Sequence, residues 1–188
     1  LEHIRAHYRI DGGTGIHHYF FTDDNFSRKP EWEAIFDGLI ALREREGLAI
    51  DFMMQVDTQA PRIPRFIEKA ARAGCGTVFI GLENINPESL LGTKKRQNKI
   101  WEYRAMLQAW RKVRVMTYAG YILGFPTDTP ESIARDIEII KNELPIDILE
   151  FFFLTPLPGS EDHKVLHLKG VAMDPDMNNY DLEHACTA

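Results

Sequence analysis

The chain has 188 residues, 44% hydrophobic and 27% charged, and its 22 basic and 28 acidic residues give a formal net charge of −6. This length and composition suit one ordinary globular domain, and the acidic balance argues against nucleic acid as the main partner. Its two cysteines, Cys75 and Cys186, lie far apart in sequence, which excludes a disulfide framework and any local CxxC or CxxxCxxC metal site. We expect neither a membrane span nor a signal peptide, and because the chain begins at Leu1 we expect an excised piece of a longer protein.

Five short apolar segments alternate with longer amphipathic ones. They are rich in aromatic and β-branched residues and too short for buried helices, which predicts strands. Several are apolar at consecutive positions, as is typical of parallel strands that are covered on both faces. In chain order the predicted strands are residues 15–22, 50–56, 77–82, 117–123 and 147–154.

Helix signals fill the intervals between these segments. Pro30 and Gly47 mark the two ends of the first predicted helix, residues 61–73 form the second, and the third runs from about residue 98 to 112. The fourth begins after Thr129, whose side chain we expect to cap it, with Pro130 at its first position. Single helices between strands predict right-handed crossovers and a parallel sheet.

This order of elements predicts an α/β fold made of parallel β/α repeats. Part of a TIM-type barrel, with about five strands, and an open doubly wound sheet both fit the order. We expect residues 1–188 to form a single domain, with β/α units over 1–155 and an irregular, extended carboxy-terminal tail over 156–188.

Polar side chains follow the first three predicted strands at the point where each strand ends. In parallel α/β folds this edge of the sheet is where substrates bind. The residues are Asp23, Asp24 and Asn25 after the first strand, Gln55 and Asp57 at the second, and Glu83 after the third. They could bind an ammonium group or a divalent cation, but helix capping by the first group and a structural ion pair at Glu83 are equally good interpretations.

Glycine and proline mark the ends of the last two predicted strands. Gly120, Gly124 and Phe125 suit close approach of the backbone to a flat ligand, although isolated glycines in strands also mark bulges. Leu154 and Thr155 begin a proline-rich turn whose apolar faces could form a wall beside a planar base.

Five segments of the chain resemble the radical S-adenosylmethionine (SAM) superfamily, in the branch whose members carry a cobalamin-binding domain before the barrel. That branch includes magnesium-protoporphyrin oxidative cyclases and hopanoid methylase-like proteins. The order and spacing of the segments cover nearly the whole chain, and GFPTDTPES followed later by TPLPG is the most specific part. The segments are FFTDDNF (20–26), FIGLEN (79–84), YILGFPTDTPESI (121–133), FLTPLPGS (153–160) and MDPDMNNYDLEH (173–184).

The resemblance implies a partial TIM-type barrel that binds SAM. In the family, a CxxxCxxC loop after the first barrel strand holds a [4Fe–4S] cluster, and cleavage of SAM there gives a 5′-deoxyadenosyl radical. That loop is absent here, so the first strand of this chain would correspond to the family's second. By position, residues 23–25 would meet the SAM ammonium, Glu83 would contact SAM, residues 120–125 would pack along adenine and ribose, and residues 154–155 would lie near adenine. Gln55 and Asp57 complete the candidate cofactor-binding set.

We therefore expect the carboxy-terminal, SAM-binding part of a radical SAM barrel, inactive by itself. The parent would be a cytoplasmic, cobalamin-dependent radical methylase or cyclase that acts on a hydrophobic or tetrapyrrole-like small molecule. Its cluster and cobalamin would be bound by upstream segments of the same protein and not by this fragment. Two alternatives stay open, namely a metal-dependent hydrolase or lyase that uses Asp23, Asp24 and Glu83, and a non-catalytic binding scaffold. We also expect self-association, through the edge of the first strand or the exposed interior face of the sheet.

Overall fold

A computed structural model describes residues 1–8, 15–85 and 100–187, and these residues contain a five-stranded sheet. Neighbouring strands are parallel and follow one another in sequence order, which confirms the predicted parallel β/α fold. The strands are β1 (His18–Phe21), β2 (Asp51–Val56), β3 (Cys75–Glu83), β4 (Met116–Leu123) and β5 (Ile148–Phe153).

In the ranges that the structure describes, an α-helix precedes β1, one lies between each pair of successive strands, and another follows β5. The four predicted helices are present, and the start expected near residue 98 lies outside the described residues. The helix after β1 ends at Gly47, which adopts the left-handed conformation (φ 72°) that glycine accommodates best. The helices are α1 (Glu2–His7), α2 (Trp32–Glu46), α3 (Phe66–Ala73), α4 (Ile100–Lys112), α5 (Pro130–Glu143) and α6 (Glu161–Leu168).

The hydrophobic core lies between the helices and one face of the sheet. Alternate residues of β2 and β3 are buried on this face, as the two-residue period of a strand requires. They pack against large side chains of the covering helices. The buried strand residues include Phe52, Met54, Val56, Val78, Ile80 and Leu82, and the helix residues include Phe36, Phe66, Tyr103 and Trp110.

The other face of the sheet, called here the open face, carries the alternate residues of the same strands. In a complete barrel this face would form the interior. It is lined by aromatic, glycine and polar residues, and Phe20 at its β1 end is 51% exposed. The strand register places on it Phe20, Met53, Gln55, Phe79, Gly81, Tyr118, Gly120, Glu150 and Phe152.

The tail is not wholly extended, contrary to the sequence prediction. Residues 161–168 form α6, and Ser160 caps this helix because its Oγ accepts a hydrogen bond from the backbone N–H of His163 at 3.1 Å. Farther along, Met173 and Thr187 form an isolated antiparallel bridge. The tail therefore has its own ordered structure at the carboxyl end of β5.

The outer face of β5 is only partly covered by the described residues. Consecutive phenylalanines at 151–153 suggest a strand that is buried on both faces, but Phe151 and Phe153 are each 42% exposed. Ile139 of α5 adds to this exposed apolar surface. None of the helices in the described ranges is long and apolar enough to cross a membrane.

Candidate functional site

The loops after β1 and β2 meet at the carboxyl edge of the sheet. The backbone N–H of Asp57 lies 3.4 Å from the side-chain Oδ1 of Asn25, and Ser27 donates a 2.6 Å hydrogen bond to the same oxygen. Arg28 binds the Asp57 carboxylate through its guanidinium at 2.7 Å. Because Asp57 also accepts from the backbone N–H of Gln59 at 2.9 Å, its orientation is fixed from two sides.

The two adjacent carboxylates of the β1 loop have different environments. Asp23 pairs with Lys29 at 2.8 Å, and this hydrogen bond raises the pKa of the lysine above its ordinary value. Asp24 is exposed. Neither carboxylate caps the short 3₁₀ helix Phe26–Arg28, whose N-cap position is Asn25 without a side-chain capping hydrogen bond. The capping interpretation of this loop is therefore wrong.

Glu83 occupies a strained backbone conformation at the end of β3. Its φ angle is 68°, in the left-handed region that side chains other than glycine rarely adopt. The backbone N–H of Asn84 donates to the carbonyl of Leu82 at 2.9 Å, so the chain turns tightly around Glu83. The register between β3 and β4 shifts at the same point. Backbone strain of this kind costs about 1–3 kcal/mol and is concentrated at functional sites.

The surroundings of Glu83 determine where its carboxylate lies. The side chain turns back over the open face, where its Oε1 is 2.8 Å from the position that a Cβ on Gly81 would take. Because Gly81 has no Cβ, the Glu83 carboxylate has room to lie at this position. Below the turn, the hydroxyl of buried Tyr103 donates to the carbonyl of Leu82 at 3.1 Å and supports the backbone from the core side.

The ends of β4 and β5 are joined at the same edge. The backbone N–H of Leu154 donates to the carbonyl of Leu123 at 2.7 Å, and Gly124 continues from β4 with a φ of 95°. Phe125 is buried, and Thr155 donates to the carbonyl of Phe153 at 3.1 Å. The two segments that the sequence assigned to an adenine site thus lie side by side.

Aromatic rings line the open face below this edge. Phe79 contacts Tyr118 edge to face with ring centroids 5.1 Å apart, and Phe152 lies 6.4 Å from Phe79. Both phenylalanine rings approach Gly120, where an added Cβ would come within 2.9 Å of each of them. The Tyr118 hydroxyl donates to the Glu150 carboxylate, and this bond raises the pKa of the tyrosine. This face can accommodate a flat apolar molecule and offers one polar pair to it.

The structure thus brings the predicted residues to one edge of the sheet in two groups. One group comprises Asn25, Asp57 and the paired Asp23, and the other comprises the glycine loop after β4 with Leu154 and Thr155. Glu83 is the last residue of β3, the strand between them. Gln55 lies lower, on the open face, in register with Phe79.

Sequence reasoning missed three residues, two on the open face and one at this edge. It did not assign roles to Tyr118 and Glu150. Tyr118 is paired with Ile148 on the neighbouring strand, and Glu150 lies two residues farther along that strand, so the two side chains meet only because β4 and β5 pair with the observed register. Asp128 was included only as a member of the GFPTDTPES motif, although its carboxylate accepts hydrogen bonds from two backbone N–H groups of the loop after β4. Its position four residues after Gly124 is a signal that could have been used.

The cysteines do not fit an iron–sulfur cluster. Cys75 begins β3 at the amino end of the sheet, where burial raises the pKa of its thiol. Cys186 lies in the tail beside Thr155, at the carboxyl end. A [4Fe–4S] cluster needs several thiolates at one place, and two buried cysteines at opposite ends of the sheet cannot supply them.

No group of three His, Cys, Asp or Glu side chains within the described ranges is arranged to hold a metal ion. Asp23, Asp24 and Glu83 therefore do not form the three-ligand site that a metal-dependent hydrolase would require.

Comparison with known proteins identifies the fold family. The sequence model of the Radical SAM superfamily matches residues 1–140, about three quarters of the chain. The chain belongs to this superfamily. The resemblance predicted from the strand-end motifs is confirmed, and neither the hydrolase nor the scaffold alternative receives support.

The curated relatives are longer methyltransferases. The chain is 26% identical over 188 residues to bacteriochlorophyllide d C-12(1)-methyltransferase of Chlorobaculum tepidum, covering 98% of this chain and 38% of that protein. It is 33% identical over 151 residues to an uncharacterized methyltransferase of Pyrococcus horikoshii, covering 78% of this chain and 30% of the relative. The chain thus spans less than two fifths of the length of either relative.

Among solved structures, the cobalamin-dependent SAM radical enzyme OxsB with aqua-cobalamin bound superposes with a TM-score of 0.69. The sequences are 15% identical, and the match covers 93% of this chain and 32% of OxsB. This similarity shows a shared fold. Together with the family match over residues 1–140, it makes the five-stranded sheet part of a radical SAM barrel.

Proposed function

We propose that this chain forms the SAM-binding part of the barrel in a cobalamin-dependent radical methylase or cyclase. The observation that carries the proposal is the convergence of the Asn25–Asp57 contact, strained Glu83 and the glycine loop after β4 at one edge of a parallel sheet. Membership of the Radical SAM superfamily supports SAM as the ligand of that edge.

The charges at the β1 and β2 loops suit the amino-acid end of SAM, which is a zwitterion. Such a group needs acceptors for its ammonium and a cation near its carboxylate. Two ion pairs, Asp23 with Lys29 and Arg28 with Asp57, supply both signs close to the Asn25 amide. Asp24 is exposed beside them and would add an acceptor. Gln55 and Glu83 provide polar oxygens deeper on the open face and on the next strand.

The nucleoside end of SAM would lie along the loops after β4 and β5. Gly124 has no side chain to obstruct a flat base, and Leu154, Thr155 and the backbone of Phe125 form the adjoining surface. Gly120 lies lower, under the rings of Phe79 and Phe152, at the border of this surface. Bound SAM, in company with a cluster held elsewhere in the complete protein, would be the source of the 5′-deoxyadenosyl radical. The residues of this chain bind SAM, orient it and exclude water from it.

The substrate would lie against the open face, which is mostly aromatic. Phe20, Phe79, Tyr118 and Phe152 present apolar surface of the kind that binds a large hydrophobic or tetrapyrrole-like molecule. The name of one methyltransferase relative, which acts on a bacteriochlorophyllide, supports this substrate class. We also propose that the parent enzyme is cytoplasmic. We further propose that the isolated chain self-associates, which is argued below.

The test is SAM binding by the complete, anaerobically reconstituted protein. We expect Glu83→Gln to weaken SAM binding about tenfold, the value of one hydrogen bond to a charged group, and to lower 5′-deoxyadenosine formation. Glu143→Gln is the matched control, because Glu143 is exposed at the last residue of α5, which leads into the amino end of β5 at the opposite edge of the sheet. Unchanged SAM affinity in Glu83→Gln, or wild-type protein that binds no SAM, would contradict the proposal.

A further inference from the structure

The carboxylate of Asp128 binds two successive backbone amides of the loop after β4. Its Oδ2 accepts hydrogen bonds from the N–H of Gly124 and from the N–H of Phe125, both at 2.9 Å. In the reverse direction, the N–H of Asp128 donates to the carbonyl of Phe125 at 2.8 Å. One side chain therefore closes the loop and holds Gly124 in its left-handed conformation, with φ at 95°.

These bonds fix the direction of the carbonyl groups in the same two peptide units. A trans peptide is planar, and its N–H and C=O point in opposite directions; no cis peptide is found in the described ranges. The first peptide unit joins the carbonyl of Leu123 to the N–H of Gly124. Because this N–H points at Asp128, the Leu123 carbonyl points the other way, where it accepts from the N–H of Leu154 at 2.7 Å. The observed contact agrees with this expectation.

The next peptide unit follows the same rule. Because the Phe125 N–H points at Asp128, the Gly124 carbonyl points away from Asp128, and within the described part of the chain it accepts no hydrogen bond. Gly124 is exposed, and the nearest atom to a Cβ placed on it is the Cβ of Leu154 at 3.9 Å. An acceptor is thus presented beside the segment that joins β4 to β5.

We propose that Asp128 is a positioning residue which orients the Gly124 carbonyl to accept a hydrogen bond from an amino or hydroxyl group of the SAM nucleoside. The inference rests on the proposed function, since it needs SAM at this edge of the sheet. In this proposal the backbone carbonyl of Gly124 binds the nucleoside, and the Asp128 side chain orients that carbonyl without touching the ligand.

The experiment uses 5′-methylthioadenosine and methionine as separate probes of the two ends of SAM. Binding of each is measured by calorimetry on the complete protein, with no need for turnover. We expect Asp128→Ala to weaken 5′-methylthioadenosine binding about tenfold, because two hydrogen bonds that hold the loop are lost, and to leave methionine binding unchanged. Asp128→Asn should restore affinity to within about threefold of wild type, because the amide oxygen can still accept both N–H bonds.

Glu131→Gln is the matched control, since Glu131 lies three residues after Asp128, in the first turn of α5, and no hydrogen bond to the loop is observed for it in the described residues. We expect it to bind both probes like wild type. A merely structural role would lower the affinity for both probes together with the melting temperature. Such a parallel loss, or unchanged 5′-methylthioadenosine binding in Asp128→Ala, would overturn the inference alone. Wild-type protein that binds neither probe would contradict the proposed function and the inference with it.

Discussion

Asp136 of α5 is a carboxyl group buried between its helix and β4. It is 5% exposed, and its Oδ2 accepts a hydrogen bond from the Tyr121 hydroxyl at 3.1 Å. Burial raises the pKa of Asp136, while the Tyr121 hydrogen bond and Arg135, whose Nε lies 3.8 Å away, act in the lowering direction. The folded protein therefore favours the protonated carboxyl more than the unfolded chain does.

This difference predicts a pH dependence of stability. A pKa that is raised by folding gives a contribution that is complete below the unfolded pKa, near 4, and is lost as the pH rises through the folded pKa. We expect Asp136→Asn to remove this dependence, so that its unfolding free energy relative to wild type increases between about pH 4 and pH 7. Tyr121→Phe should extend the loss to higher pH and make it larger in total, because it removes the hydrogen bond that lowers the pKa of Asp136. Denaturant unfolding at several pH values measures both variants, and parallel pH profiles for wild type and Asp136→Asn would contradict the expectation.

At this scale the sequence predicted which residues meet at the carboxyl edge but not the contacts among them. Asn25, Asp57 and Glu83 could be selected because each follows a buried parallel strand, and such positions converge whatever the side chains do. The pairing of Asp57 with Arg28 depends on side-chain geometry in two loops, which no spacing rule supplies. The left-handed turn at Glu83 was also unforeseen, because strain at a residue other than glycine has no sequence signature.

At the scale of elements, α5 begins with a capping box. Thr129 Oγ1 accepts from the backbone N–H of Ser132 at 3.1 Å, and Ser132 Oγ accepts from the N–H of Thr129 at 2.9 Å. Pro130 occupies the first helical turn, as its fixed φ allows. The cap and the helix start were predicted correctly from the sequence. α6 was missed because its eight residues are too few to show a clear helical period, although Ser160 with acidic residues after it is a typical start signal.

The cap of α5 provides a stability prediction. Thr129→Ala removes the acceptor for the Ser132 N–H, and we expect it to lower the unfolding free energy by about 1 kcal/mol. Thr22→Ala is the control, because Thr22 is exposed and should change the unfolding free energy by less than about 0.5 kcal/mol. Urea unfolding followed by circular dichroism measures both. Equal stabilities of the two variants would show that the cap contributes nothing to the folded state.

At the scale of the whole molecule, the sheet leaves one edge and one face without partners in the described residues. β1 is the first strand of the sheet and pairs with β2. The amino-terminal segment binds α2 through Arg5 and Glu46 and reaches the residue that precedes the strand by two, where the N–H of Ile16 donates to the carbonyl of His7 at 3.1 Å. The tail reaches the other end of the sheet, where the Leu182 carbonyl accepts from the N–H of Phe153 at 2.7 Å. As far as they are described, the flanking segments form no backbone hydrogen bond with the strand residues His18–Phe21 themselves.

This arrangement predicts self-association of the isolated chain. An unpaired strand edge recruits other strands, and a large exposed apolar surface is uncommon on a soluble monomer. Phe20 lies on the open face of β1 and is 51% exposed, so Phe20→Lys should shift the chain toward the monomer by placing a charge at both proposed contact surfaces.

Leu168→Lys is the matched control. Leu168 is 74% exposed and lies on α6, which follows β5, and β5 is at the opposite end of the sheet from β1. Light scattering behind size-exclusion chromatography gives the mass of each protein over a range of concentrations. We expect oligomers for wild type and Leu168→Lys and a larger monomer fraction for Phe20→Lys, and a wild-type monomer at every concentration would show that this edge and face need no partner.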